Sequence, residues 1–215
     1  MKHLVLGFML ILATPLAARA CNGCGPIDPL LLALVAGISG DDFPKAVPEV
    51  TWTGPSYPTD SEADGSVTWY QIGALVLAGF GQVVLPQGVG ADQATREGNE
   101  GEAGVTVQIH SARGVQYVAL RKFYPDADYL DVLTRQTDAH VTPLAANCTQ
   151  DPYGSAPDRE ETAFYRLQMP QSDIPVFATA ARAEDAGQMG PGYTTYTFFL
   201  TDPAPTIARM GCTAN

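Results

Sequence analysis

The chain lacks the motifs that usually reveal chemistry. No serine lies in a G-x-S-x-G nucleophile elbow, no glycine loop has phosphate-binding spacing, and no H-E-x-x-H pair is present. Histidine is scarce, with 3 residues among 215, and His3 falls in the N-terminal leader described below. These absences favour a non-catalytic role, and they predict neither a cofactor nor a metal.

Basic residues are also few. The chain has 12 Lys and Arg against 23 Asp and Glu, which gives a net charge of −11. Such a field repels phosphate backbones and anionic lipid surfaces, so we expect no nucleic acid among the partners. The acids are scattered along the chain, and solubility therefore explains them better than an acidic binding face.

A membrane-spanning run is absent after the leader. The apolar stretch from Leu30 to Ile38 is about half the length that a spanning helix needs, so we expect no membrane span. Asp28 followed by Pro29 predicts a helix N-cap and a proline at the first helical position instead. This short helix should end near residues 37–40. It is apolar nearly all round, so the main domain, a partner or lipid must cover it.

The first 20 residues have the pattern of a secretory signal peptide. Lys2 precedes an apolar run, and Ala18-Arg19-Ala20 presents small residues to a signal peptidase before Cys21. Alanine, glycine and proline are abundant while lysine is rare, which is typical of a high-GC bacterium. We therefore expect a periplasmic or extracellular protein. A lipid anchor at Cys21 is the disfavoured alternative, because Arg19 fits a lipoprotein signal poorly.

The rest of the chain divides into two parts. Residues 21–66 are expected to form the short helix and a proline-rich arm, and residues 67–215 an antiparallel α+β domain. Prolines and polar residues between positions 41 and 66 predict an extended arm without helix or central strand. Phe43, Trp52 and Tyr57 are the aromatic residues that could anchor this arm.

Strand patterns dominate the second part. Alternating residues over 105–110, a Ser-Ala-Arg-Gly connection and a second run over 115–123 predict a hairpin. Asp126 and Asp128 open a predicted helix that ends near Gln136. Further strand-like runs cover residues 67–72, 74–80, 82–85, 141–147, 162–169, 175–181 and 193–200. The fold class is therefore α+β, mainly an antiparallel sheet with few helices, preceded by the short apolar helix and the proline-rich arm.

Four cysteines allow three pairings. We favour a Cys148–Cys212 bridge, which would tie the C-terminal tail to a strand, and a local Cys21–Cys24 disulfide at the mature N-terminus. A redox-active dithiol is disfavoured because no strand precedes Cys21, and zinc is disfavoured because no further ligands lie near. Gly25 in place of histidine excludes covalent haem attachment.

One dispersed set of residues could form a catalytic pocket: His110, His140, Glu100 and Glu102. His110 falls on the polar face of its strand and His140 just before the next one, so both are expected to be exposed. The two glutamates lie in a glycine-rich loop, where functional groups concentrate. Clustering of these groups in one cleft would favour a hydrolase.

Two other patterns have structural explanations. Asp60, Glu62 and Asp64 resemble the opening of a calcium loop, but Gln71 stands where a bidentate carboxylate is needed, so an acidic turn before a strand is favoured. The aromatic residues between positions 193 and 199 occupy both faces of a strand. They favour core packing, although outward tyrosines could contact a ligand.

These patterns predict an exported soluble protein whose domain binds or interacts without catalysis. Its partner would be an unknown protein or a small ligand. One alternative is a secreted hydrolase with dispersed catalytic residues. Another is an envelope protein that docks a partner through its apolar N-terminal helix.

Overall fold

The computed structural model describes residues 24–55, 60–77, 101–123, 126, 128–149, 161–183 and 193–213. The predicted leader, Cys21, Tyr57, the 82–85 strand and Glu100 lie outside these residues. The helices are α1 (Asp28–Val35), α2 (Phe43–Ala46), α3 (Tyr129–Gln136) and α4 (Ala204–Ile207). The strands are β1 (Thr51–Pro55), β2 (Asp60–Ser61), β3 (Val67–Val76), β4 (Glu102–His110), β5 (Gly114–Phe123), β6 (His140–Thr149), β7 (Glu161–Gln168), β8 (Val176–Ala183), β9 (Tyr193–Phe199) and β10 (Gly211–Thr213).

The strands form one ten-stranded sheet in which every pairing is antiparallel. Its order is β1-β3-β4-β5-β9-β8-β7-β6-β10, with β2 paired to β3. Among the described central strands, β3 to β9, neighbours in the sheet are also consecutive in the chain, except that β5 pairs with β9. The predicted antiparallel α+β class is confirmed.

The inner face of the sheet carries the main core. Side chains alternate along each strand, and the inward set includes Val105, Val107, Leu120, Tyr196 and Phe198, each at most 1% exposed. These side chains belong to one continuous apolar cluster that also contains the helices α1 and α3. A sheet of this size needs such a cover over one face, and the helices supply it.

The apolar helix α1 is covered by the chain's own strands. Leu30, Leu31 and Leu34 are at most 2% exposed within the main core. The helix ends at Val35, and Gly37 follows it with a left-handed φ of 62°, which glycine adopts without a Cβ penalty. The sequence thus predicts both the helix and its end.

Asp28 does not act as the predicted N-cap. Ile27 takes the capping position without a side-chain bond, while Asp28 is the first helical residue and is buried. Its carboxylate accepts hydrogen bonds from residues outside α1 and not from the amides of the first turn, as described below. The N-cap prediction is wrong because donors from Gly25, Thr137 and Asp138 occupy the carboxylate in place of the first-turn amides.

The proline-rich arm is more ordered than expected. Pro44 lies in the first turn of α2, where its missing N–H costs nothing, so this single turn of helix contradicts the prediction of no helix. The strand β1 follows and lies at the edge of the sheet. This position agrees with the prediction that the arm contains no central strand. Phe43 is fully buried, and Trp52 packs edge-on against it with ring centroids 6.3 Å apart. These two aromatics anchor the arm as expected.

Local signals explain the elements that the sequence predicts well. Gly114 closes the β4–β5 hairpin with a φ of 71°. Asp128 caps α3, since its side chain accepts a hydrogen bond from the Asp131 amide. Both features agree with the hairpin and helix predicted from these residues.

The outer face of the sheet carries a second, smaller cluster. Ala145, Cys148 and Phe164 are buried there under Ile207, Met210 and Cys212. Cys148 and Cys212 form a disulfide, which confirms the predicted pairing. The segment 203–213, which contains α4 and β10, therefore lies across the outer ends of β6 and β7.

The segment before residue 67 and the strands after it share the main core. The division of the chain at residue 66 stays a prediction. No helix within the described ranges is long and apolar enough to cross a membrane.

Candidate functional site

A cleft lies on the outer face of the sheet, between strands β5, β7, β8 and β9 and the C-terminal segment. Its volume is about 560 Å³. Its lining consists of outward strand residues and residues of the covering segment: Arg121, Thr162, Phe164, Thr179, Ala181, Tyr193, Thr195, Thr197, Phe199, Thr201, Asp202, Pro203, Thr206 and Met210. We call this the outer cleft.

Strand register sets the floor of the outer cleft as two rows of side chains. The first row crosses four strands in the order Arg121, Thr195, Ala181, Thr162. The second row crosses three strands in the order Thr197, Thr179, Phe164. Neighbours in a row are on strands about 4.8 Å apart, and the rows are about 7 Å apart along the strands.

The floor presents hydroxyl groups without protein partners. Among the described residues, Thr162, Thr179, Thr195 and Thr197 donate no side-chain hydrogen bond and accept none. Each hydroxyl offers one donor and two acceptor lone pairs. The floor can therefore form several hydrogen bonds to a bound molecule without breaking any of its own.

Aromatic and apolar groups border these hydroxyls. Phe199 stacks on Phe177 with ring centroids 6.4 Å apart, and Phe164 and Met210 close the side under the C-terminal segment. At the other side, the Arg121 guanidinium carbon lies 3.6 Å from the centroid of the Tyr193 ring. The cleft thus combines a polar floor, an apolar wall and one cation.

The covering segment is held in a defined position. Asp202 accepts a hydrogen bond of 2.9 Å from the amide of Ala204, the first residue of α4, and Pro203 is buried. The disulfide and the β10–β6 pairing fasten the other end of the segment. The cleft is therefore built between two fixed surfaces.

His110, a predicted pocket residue, is buried rather than exposed. Its side chain is 3% exposed, and Nδ1 accepts hydrogen bonds of 3.1 Å from the Ala112 and Arg113 amides. Nδ1 therefore carries a lone pair, and Nε2 faces the Glu62 carboxylate at 3.2 Å. The prediction of exposure is wrong because the hairpin turn folds back over the ring. His110 ties the β4–β5 turn to the loop before β3.

The other predicted pocket residues lie apart from His110. His140 is exposed at the start of β6, as expected, and four strands separate β6 from β4. Glu102 is the first residue of β4 and not a loop residue as expected, and His110 is the last, so their backbones are about 26 Å apart. Glu100 is outside the described residues. The structure therefore brings none of the three described members together.

The loop that resembles a calcium site forms a turn. Asp64 Oδ1 accepts hydrogen bonds from the Ser66 amide at 2.9 Å and from the Ser66 hydroxyl at 2.6 Å. These bonds lower the pKa of Asp64. Glu62 bonds to Arg113 at 2.9 Å. The carboxylates of Glu62 and Asp64 thus serve local contacts, in line with the favoured acidic turn.

A buried carboxylate fastens α1 to the α3–β6 connection. Asp28 accepts hydrogen bonds from the Gly25 amide at 2.8 Å, the Asp138 amide at 3.1 Å and the Thr137 hydroxyl. Burial raises the pKa of Asp28, and these three bonds oppose the rise. Gly25 has no room for a side chain, because a Cβ there would lie 2.5 Å from the Thr137 Cα.

Cys24 Sγ lies within 4.8 Å of carboxylate oxygens of Asp28 and Asp138. Cys24 is disulfide-bonded, so its sulfur is not a thiolate ligand. The Asp28 oxygens are already occupied by the donors given above. These three groups therefore serve a structural role in the described fold.

A second buried polar network lies at the inner face. Lys122 Nζ is 2.5 Å from Asp126 Oδ1, and the two side chains are 5% and 9% exposed. Asp126 Oδ2 also accepts a hydrogen bond of 2.6 Å from the Tyr196 hydroxyl. Burial and the Asp126 charge raise the pKa of Tyr196. Sequence reasoning treated Asp126 as part of a helix first turn and missed this pair.

The sequence contains signals for the Lys122–Asp126 pair and for the polar floor of the outer cleft. Lys122 continues the inward alternation of Val118 and Leu120, and Asp126 lies four residues later. Thr195 and Thr197 alternate with the inward Tyr196 and Phe198, which marks a polar outer face. No local signal predicts that segment 203–213 folds back over that face.

Comparison with protein-family models, characterised proteins and solved structures finds no match for this chain.

Proposed function

We propose that this protein is an exported binding protein that holds a small organic ligand in the outer cleft without catalysing a reaction. The observation that carries the proposal is the group of threonine hydroxyls on the floor of the cleft, next to the segment 203–213. These hydroxyls have no partner among the described residues. A volume of about 560 Å³ suits a small molecule, since ligand pockets span roughly 300–1,000 Å³. The mixture of apolar walls and a few convergent polar groups is also typical of such sites.

Binding explains the cleft better than catalysis does. Of the described residues that line it, the titratable ones are Arg121, Tyr193 and Asp202. Asp202 already accepts a hydrogen bond from the Ala204 amide, and arginine does not exchange protons in the neutral range. General acid–base work needs a group that titrates near the working pH. A hydrolase centred on His110 would also have to free Nδ1 from two backbone bonds.

Docking through α1 is less well supported. The apolar face of this helix is buried inside the main core, so it presents little surface to a partner. Export agrees with the cysteines, because Cys24, Cys148 and Cys212 are all disulfide-bonded. Disulfides persist in oxidising compartments such as the periplasm or the medium.

A blocked-cleft variant tests the proposal. Fragments from a soluble small-molecule library would be screened by ligand-observed NMR against the wild type and Thr197→Trp, whose indole fills the middle of the floor. Thr106→Trp is the matched control, because Thr106 lies on β4, two strands from Thr197 on β9, and does not line the cleft. We expect some fragments to bind the wild type and Thr106→Trp but not Thr197→Trp.

Fragments that bind both variants equally would contradict the proposal. Far-UV circular dichroism and thermal midpoints would show that each variant is folded. If Thr197→Trp fails to fold, Thr197→Val replaces it, since valine keeps the volume and removes only the hydroxyl. Loss of hydroxyl-bearing fragments in that variant would support the same conclusion.

A further inference from the structure

Arg121, the one cation among the described residues that line the outer cleft, stacks on an aromatic ring. Arg121 lies at the start of the first floor row, directly across from Thr195. Its guanidinium stacks on the Tyr193 ring at 3.6 Å, which restrains the plane of the group while leaving its N–H edges uncovered by the ring. A restrained guanidinium loses less entropy when it binds an oxyanion.

Arg121 also differs from the other arginines whose partners are described. Arg113 pairs with Glu62 at 2.9 Å, and Arg135 pairs with Asp131 at 2.7 Å. Arg121 has no hydrogen bond or ion pair with any described residue, although acids outnumber bases 23 to 12 in the chain. No described residue therefore occupies the Arg121 N–H donors or the hydroxyl of the facing Thr195.

We propose that the ligand of the outer cleft is a small organic carboxylate, bound through its oxyanion to Arg121 and the Thr195 hydroxyl. The planar guanidinium matches a carboxylate with two parallel N–H···O bonds. Phe164, Phe199 and Met210 line the opposite side of the cleft, where the apolar part of a ligand long enough to cross it would lie. This inference rests on the proposed function of the cleft and adds the chemical class of the ligand.

Charge favours a carboxylate over a phosphate. The described lining offers one cation, which balances one negative charge but not the two of a phosphate monoester. Asp202 contributes a negative charge to the same cleft, which opposes a second anionic group. Carboxylates and phosphates both present an oxyanion, and the experiment below distinguishes between these two ligand classes.

Three probes with one ring and different head groups test the inference. Benzoate, neutral benzamide and phenyl phosphate would be titrated into the ¹⁵N-labelled protein, with Kd values taken from amide shifts of cleft residues. We expect benzoate to bind most tightly, and Arg121→Gln to weaken it by at least about tenfold. Benzamide should bind equally to both proteins.

The matched control is Arg166→Gln. Arg166 is an exposed arginine of β7 that does not line the cleft, so this variant should bind benzoate like the wild type. Added salt should weaken benzoate and leave benzamide unchanged, because only the former is a charge interaction. A benzoate Kd that Arg166→Gln raises as much as Arg121→Gln would overturn the inference.

The remaining outcomes separate the inference from the proposed function. Equal binding of benzoate and benzamide at cleft residues, unaffected by Arg121→Gln, would refute the oxyanion site while leaving a ligand cleft. Tighter binding of phenyl phosphate that depends on Arg121 would overturn the choice of carboxylate. Probe binding that shifts no cleft residue would refute both the inference and the proposed function.

Discussion

Removal of the Cys148–Cys212 disulfide should lower the free energy of unfolding by about 4 kcal/mol. The bond joins residues 64 apart in the sequence, and a crosslink of that length removes loop-closure entropy from the unfolded chain worth about this much at 25 °C. The Cys148→Ala, Cys212→Ala double variant measures the effect. Alanine is preferred to serine, because Cys148 is fully buried and a serine hydroxyl there would add a desolvation cost.

Urea unfolding followed by tryptophan fluorescence gives the two free energies. For a chain of this length, a loss of about 4 kcal/mol corresponds to a fall of about 8–16 °C in the melting temperature. The Cys148→Ser, Cys212→Ser pair should lose more than the alanine pair. A double alanine variant within about 1 kcal/mol of the wild type would refute the loop-entropy reasoning.

The same variant tests how the cover of the cleft is held. Ile207 and Met210 pack against the cluster that contains Phe164, and β10 pairs with β6. Neither contact depends on the disulfide bond itself. We therefore expect the segment 203–213 to stay docked in the native state and the cleft to persist. Fast amide exchange throughout this segment in the variant would show instead that the disulfide alone holds it.

Three further predictions concern the core and the buried polar groups. Leu31→Ala should lower the free energy of unfolding by about 2–5 kcal/mol in a denaturant titration, whereas Leu32→Ala, at a half-exposed neighbour, should cost clearly less. Burial raises the pKa of Asp28 above 3.8, so the stability that this group contributes is complete below that pH and is lost as pH rises through its native value. The unfolding free energy of the wild type, measured relative to Asp28→Asn, should therefore fall as the pH rises from below 3.8 through the native pKa of Asp28, and a rise would contradict the burial argument. His110→Ala should cost about 1–3 kcal/mol because it leaves two backbone amides without an acceptor, while His140→Ala should be neutral; thermal melts of both variants decide this, and equal melting temperatures would contradict the assigned contacts.

Short-range patterns in the sequence predict most of the sheet. The β4–β5 hairpin follows from alternation and a four-residue turn, and the start of α3 follows from Asp128. These elements depend on neighbours within a few residues, so local chemistry suffices. The Cys148–Cys212 pairing is one of three that the sequence permits, and the pairing of β10 with β6 brings these two cysteines together.

Long-range packing sets what local patterns do not. His110 alternates as an outward residue, but the turn at 111–113 folds back over its ring and donates two backbone amides to it. The cleft needs Arg121, Thr162 and Thr179 on three different strands, and the placement of β9 between β5 and β8 brings them to one surface. No single window of the sequence contains these residues together, so the sequence alone favours binding without locating it.

An amide chemical-shift map of bound fragments tests the central claim most directly. The ¹⁵N-labelled wild-type protein would be titrated with the fragments that bind it in the ligand-observed screen. The account predicts that the largest shifts occur on β8, β9 and the segment 203–213, around Thr179, Thr195 and Thr197. Shifts that instead centre on His110 or His140, with the outer cleft unperturbed, would contradict the account.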